Sequence, residues 1–230
     1  MTARQWDLPW VVLAMVFPSA AAWLYFRTFG GASWMPLLYA AAKVLQFSLP
    51  AVAWFVAGPG SWHPGRRPGM AWTGLATGMG MGLAVWAAWA LGLRSSGLAA
   101  AAGPRVTARL DAIGVAGAGG FILLAAFLSL LHSLLEEYYW RWFVHGRLRG
   151  RLGPAAATLS SSLAFAAHHV IVVHAFTASV GWTLALSACV AAAGVVWARL
   201  YERSGSVVPA WISHALVDAA VLAVGYRLAA

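Results

Sequence analysis

The sequence is poor in acid. Six of its 230 residues are Asp or Glu, and charged residues of both signs make up 9% of the chain, against 62% hydrophobic. That composition excludes an ordinary water-soluble domain, in which about a quarter of residues are charged. Cysteine is nearly missing as well. Cys189 stands alone, so neither an internal disulfide nor a cysteine-rich metal site can form. The soluble zinc-protease motif H-E-x-x-H does not occur, and neither an internal repeat nor a long polar linker interrupts the chain. Base is not scarce, and the formal net charge is +9. The arginines cluster at the ends of apolar runs, which is the pattern of membrane-flanking charge. No nucleic-acid partner is expected.

What the chain has in place of charge is apolar length. Several runs approach or exceed the ~20 residues that a helix needs to cross a bilayer. Seven spans are read, at 8–27, 35–57, 71–93, 115–146, 155–175, 178–199 and 207–226. The fold class is therefore an all-α polytopic transmembrane helix bundle, one integrated membrane domain with N-terminal helices over 1–114 and a second set over 115–230. Arg4 and SAAAW (19–23) imitate a signal peptide, but the apolar character continues through Trp23–Phe26, so an uncleaved first span is expected. WHPGRRPG (62–69) is a loop by its Pro and Gly content. The stretch 94–113 carries Arg94, Arg105, Arg109 and Asp111 and reads as a loop with a short interfacial helix or as a weakly apolar eighth element. The fourth run is longer than a bilayer requires and is expected to tilt or to leave the membrane near Arg147. A cytoplasmic N-terminus puts Arg4, Arg66, Arg67, Arg147, Arg149, Arg151, Arg199 and Arg203 inside, against Arg27, Arg94, Arg105, Arg109 and Arg227 outside, which favours that orientation. Gly74, Gly78 and Gly82, four residues apart, form a small-residue face that lets another helix approach closely.

Against this background the polar residues inside the spans stand out. Asp7, Asp111 and Glu202 lie in flanks or loops, whereas Glu136, Glu137 and Asp218 lie within apolar runs. An ionisable group in hydrocarbon costs about 2.5–3.5 kcal/mol on insertion scales, so such groups face the bundle interior and need partners. Glu137 and Arg141 are i,i+4, share a helix face and can pair. Glu136 points about 100° away and is left for another task. The fifth span brings the adjacent His168 and His169, and the last brings His214 and Asp218, again i,i+4. Taken singly, each cluster is also consistent with a satisfied packing interaction. Together they place a carboxylate and imidazoles on three helices, which is the material of a metal site or of a general acid/base site.

In order along the chain these residues read EExxxR (Glu136, Glu137, Arg141), FxxxH (Phe165, His169) and Hxxx(N/D) (His214, Asp218). The pattern resembles the CPBP family of intramembrane proteases, also called the Abi or CAAX-protease family, over residues 115–225. The resemblance implies an intramembrane endopeptidase in a bacterial inner membrane, acting on a membrane-anchored peptide or protein, with processing or sorting of C-terminally anchored proteins as a specific role. It implies that Glu136 with His169 activates a water, that His214 and the residue at 218 stabilise the oxyanion, and that Glu137, Arg141 and Phe165 are structural. The family has been described both as metal-dependent and as glutamate-dependent; if a zinc ion is used, Glu136, His169 and His214 are the implied ligands. Asparagine is common at the last position, and an ionised Asp218 there would repel an oxyanion, so Asp218 is expected to be protonated, to orient His214 or to help bind a metal. His132, His145, His168 and His174 have no motif counterpart and are read as structural or peripheral. Two rival readings of the same groups are a proton or cation transporter and a non-catalytic membrane scaffold or immunity protein of the same fold. Against transport, no repeated halves are visible.

Overall fold

Glycine and proline mark where the helices end. In the computed structural model, which describes residues 3–28, 34–58, 65, 67 and 69–229 (with side chains from residue 8 onward), the chain forms eight helical stretches: α1 (Leu8–Thr28), α2 (Met35–Ala57), α3 (Ala71–Ser95), α4 (Gly97–Ala112), α5 (Gly117–Leu152), α6 (Pro154–Thr177), α7 (Val180–Ser204) and α8 (Val207–Ala229). No strand occurs among the described residues. All but α4 are long and apolar enough to cross a membrane, and they coincide with the seven runs read from the sequence. Most of the WHPGRRPG loop lies outside the described residues. The protein is thus an integral membrane protein with an all-α fold.

The stretch 94–113 resolves into α4, a helix of 16 residues. At ~1.5 Å per residue it is about 24 Å long, shorter than the ~30 Å hydrocarbon core. It packs against α8 and α6, with Gly103 so close to α8 that a Cβ there would lie 2.9 Å from the Leu228 carbonyl oxygen.

Polarity is inverted relative to a soluble protein. Leu37, Phe55, Trp72 and Leu91 are each more than three-quarters exposed, whereas Glu137 and Arg141 are fully buried. The apolar rim is what lipid would cover, and the ionisable groups turn inward. The core between them is aromatic, built from Tyr139, Trp140, Phe143, Phe165 and Trp197. The first span is part of it: Val11 and Ala14 are buried there, and the Tyr139 hydroxyl donates to the Ala14 carbonyl at 2.8 Å.

Two tight turns set the register of the helices that matter most. Gly153, at φ +78°, is followed by Pro154 at the first position of α6, an arrangement that stops one helix and starts the next at once. Seventeen residues back along α5 is Glu136, and fifteen residues forward along α6 is His168. At ~1.5 Å per residue these are about 25 Å and 23 Å from the turn, at nearly the same level. Gly205, at φ +67°, does the same for α7 and α8. Trp197 lies eight residues before it and Ser213 eight after, and the Trp197 indole N–H donates to the Ser213 hydroxyl at 3.1 Å.

The glycine face on α3 meets α8. A Cβ added at Gly78 would lie 2.7 Å from Ser213 Cα, and one at Gly74 would collide with the backbone of Pro209, while Gly80 on the opposite side has open space around it. Gly78→Ala is therefore expected to destabilise by about 1–3 kcal/mol through overpacking, and Gly80→Ala to be neutral or mildly stabilising through the gain in helix propensity. Thermal unfolding of the two variants in the same detergent checks this; equal midpoints would remove the glycine face as a packing device.

Candidate active site

Glu136 and Glu137 occupy one ordinary helical turn, Ser133–Glu137, between two π-helical stretches of α5, Phe127–His132 and Tyr138–His145. Such widened turns recur at functional sites because they re-aim side chains that a regular helix would stack. The two carboxylates do point to different surroundings.

Glu137 lies in the deeper layer. Its Oε2 accepts from Arg141 Nε at 3.0 Å, and its Oε1 accepts from His214 Nδ1 at 2.9 Å. All three residues are at most 3% exposed. The Arg141 guanidinium lies 5.3 Å from the Phe165 ring centroid and 5.8 Å from that of Trp197, and its two terminal nitrogens have no hydrogen-bond partner among the described residues. The aromatic faces stand in for those missing acceptors. Phe165 also contacts the rings of His169 at 4.5 Å and His214 at 6.0 Å. It is the hub about which three elements meet.

Glu136 lies toward the more open side. Its Oε1 is 3.3 Å from His132 Nε2 and 3.8 Å from His168 Nε2, and its Oε2 is 3.8 Å from His214 Nε2. His214 Nε2 is in turn 3.5 Å from Asp218 Oδ1. The side chains of His132 and Asp218 are 21% and 27% exposed, against 5% for Glu136, so the cluster opens past those two residues. The separations of 3.5–3.8 Å are too long for direct hydrogen bonds, so these polar atoms stay available to a water or ligand entering from the open side.

The adjacent histidines of α6 divide. The His168 ring is parallel to the Trp140 indole, with centroids 5.8 Å apart, and presents Nε2 toward Glu136. His169 holds its Nδ1 2.9 Å from the Phe165 carbonyl oxygen, and its ring lies 4.1 Å from that of His168. A carbonyl can only accept, so Nδ1 carries the proton and the neutral His169 keeps its lone pair on Nε2. The His214 ring is clamped flat on Trp197, centroids 3.9 Å apart.

Most of the expected site residues are thus gathered: Glu136 beside His214, His214 beside Asp218, Glu137 with Arg141, and Phe165 among them. The histidine whose nitrogen is nearest Glu136 on α6 is His168, which was set aside on motif grounds, and the shortest Glu136 contact is His132, likewise set aside. His132 precedes Glu136 by four residues, the same spacing that revealed Glu137–Arg141, so the signal was in the sequence. His145 and His174 do lie elsewhere, His145 against Glu202 at 3.3 Å and His174 against Thr183 at 3.1 Å. The donor set offered for zinc, Glu136, His169 and His214, does not fit one: among the described residues no group of three His, Cys, Asp or Glu side chains is arranged to hold a metal ion.

Residues 118–220 match a family model described as type II CAAX prenyl endopeptidase Rce1-like, in keeping with the resemblance of its motifs to the CPBP, or CAAX protease, family. The matched segment contains all of the residues gathered above and contributes no residue of α1 to α4. No curated protein and no solved structure gives a significant match. The family match supports a membrane-embedded protease of CAAX type in general terms.

Proposed function

We propose that the protein is an intramembrane endopeptidase of a bacterial inner membrane that hydrolyses a peptide bond in a membrane-anchored peptide or protein, using Glu136 as the general base and no metal. The observation that carries this reading is the division of labour between the two glutamates. Glu137 is consumed by Arg141 and His214, whereas Glu136 faces imidazoles on three sides, beside the more exposed His132 and Asp218, and is held by no contact as short as those of Glu137.

In the first step the Glu136 carboxylate takes a proton from a water as the oxygen attacks the scissile carbonyl carbon. His169 Nε2, its lone pair directed by the Nδ1–H bond to Phe165, shares that proton. His168, held by Trp140, keeps the carboxylate aimed. The carbonyl π pair moves onto oxygen, and the oxyanion is met by N–H donors fixed beforehand. His214 supplies one from Nε2 when it is doubly protonated, because Nδ1–H is already committed to Glu137. Collapse of the tetrahedral intermediate breaks the C–N bond, and the shared proton goes to the leaving nitrogen. Asp218 Oδ1, 3.5 Å from His214 Nε2, orients the imidazole by its charge and leaves the Nε2–H to the oxyanion; it is not itself an oxyanion donor. Preference for C-terminally anchored substrates belongs to the same reading.

The test is cleavage, by purified protein in proteoliposomes, of a lipid-anchored reporter peptide, with products identified by mass. His169→Ala is expected to lower kcat by about 10²–10⁴ as loss of a proton-transferring group. His168→Ala, which removes a positioning contact only, is expected to cost about tenfold, with His168→Asn recovering part of it. Equal losses for both would transfer the proton-sharing role to His168. Cleavage that stops on chelation and returns with added zinc would overturn the metal-free mechanism.

A further inference from the structure

Lys43 is the only lysine in the sequence; every other cation of the chain is arginine or histidine. It sits inside α2, eight residues or about 12 Å from the start of that helix, and is half-buried. An ammonium ion at such a depth is expected to be paired, yet no carboxylate lies within 4 Å of it among the described residues. Two aromatic faces hold it instead. Its Nζ is 5.5 Å from the Tyr39 ring centroid and 5.6 Å from that of Phe47. The Phe47 ring lies 5.7 Å from His132, the residue in closest contact with Glu136. Lys43 and Glu136 are near enough to interact electrostatically without touching.

A second cation stands on the far side of the same aromatic group. The Tyr39 ring is 4.3 Å from that of Tyr25, and the Arg109 guanidinium lies 4.8 Å from the Tyr25 centroid, again with no carboxylate within 4 Å among the described residues. The helices α1, α2 and α4, outside the matched family segment, therefore carry an aromatic wall with two cations short of an anion, and this wall leads to Glu136.

We propose that Lys43 is a substrate-binding residue: its ammonium holds the free C-terminal carboxylate of the peptide whose scissile carbonyl lies at Glu136. This rests on the peptidase reading above. A lysine ammonium is a compact point charge with three donors, and two aromatic faces leave those donors free for one small anion. The anion nearest to hand beside a peptide-cleaving group is the peptide's own. An extended chain advances ~3.3 Å per residue, so a chain end a few residues beyond the cut falls within reach of a cation that is close to Glu136 but not in contact with it.

The lone lysine makes the test direct. Full-length protein labelled with ¹⁵Nζ-lysine gives a single ammonium resonance, which is followed in micelles during titration with an S-farnesylated CAAX peptide as the free acid, with the same peptide as C-terminal amide, and with short-chain phosphatidylglycerol. The free acid is expected to shift the resonance saturably, and the amide and the lipid to leave it in place. In binding measured by fluorescence anisotropy, Lys43→Met is expected to weaken the acid about 10- to 100-fold, the loss of one charge-assisted contact, and to leave the amide unchanged. An equal response to acid and amide, a shift produced by the lipid phosphate, no shift with any of the three, or equal weakening of both peptides by Lys43→Met would overturn the proposal. An acid-selective shift in a protein that cleaves neither peptide would support the Lys43 subsite and overturn the peptidase reading.

Discussion

Replacing Glu136 with Gln is expected to lower kcat by about 10³-fold or more while leaving the fold intact. The two parts of that expectation have different origins. Glutamine has the shape of glutamate but cannot accept a proton from water at neutral pH, and loss of a general base costs ~10²–10⁴ in rate. Glu136 has no close structural bond to lose: its contacts are the 3.3 Å approach of His132 and gaps of 3.8 Å to His168 and His214. Its removal as an anion also relieves crowding with Asp218 and Glu137 around one imidazole. The unfolding midpoint is therefore expected to move by no more than about 2 °C, the scale of a change below 1 kcal/mol in a chain of this size. Single-turnover cleavage and thermal unfolding on the same preparation decide the matter. Full activity in Glu136→Gln would move the chemistry off this carboxylate and revive the scaffold reading. A collapse of stability would show that Glu136 is held structurally, like its neighbour.

The parts of this arrangement that sequence could reveal are those set within one helix. Glu137 and Arg141 pair because positions four apart share a face, and no tertiary knowledge is needed to see it. The spans were legible because hydrocarbon thickness sets their minimum length. The partner that completes Glu137 was not legible: His214 arrives from 77 residues away, placed by the Gly153 and Gly205 turns and by the α3–α8 glycine contact. The choice between His168 and His169 was hidden for a related reason. Adjacent residues differ by about 100° around the helix, so the rotation of α6 against α5 decides which one looks at Glu136, and rotation is fixed by packing on Phe165 and Trp140. The π-helical stretches on both sides of the glutamates shift the face again. Lys43 was invisible as a site residue because its environment comes from Tyr39, Phe47 and His132, on two helices, and no spacing along the chain joins them.

Removing Arg141 is expected to be the most damaging single change to stability. Arg141→Met strips one of the two donors from the fully buried Glu137 and leaves a carboxylate with His214 as its remaining partner. Breaking a buried pair from one side costs about 3–5 kcal/mol, which corresponds to a midpoint lowered by about 6–20 °C in a chain of this length. Removing both partners is a different experiment. In Glu137→Leu/Arg141→Met no charge is left stranded, and two apolar side chains of similar size fill a space already walled by Phe165 and Trp197. Replacement of a buried pair by packed hydrophobic groups is often neutral or stabilising, so the double variant is expected to regain most of the lost midpoint. Its activity should stay lost. His214 no longer has the Glu137 oxygen at 2.9 Å that fixes Nδ1 as donor, and its Nε2 is then free to turn or change tautomer. Stability recovered without activity would assign Glu137 two separate tasks, holding α5 through Arg141 and holding the tautomer of His214. Stability and activity recovered together would leave the His214–Glu137 bond with no part in catalysis, and the oxyanion role assigned to His214 would go with it.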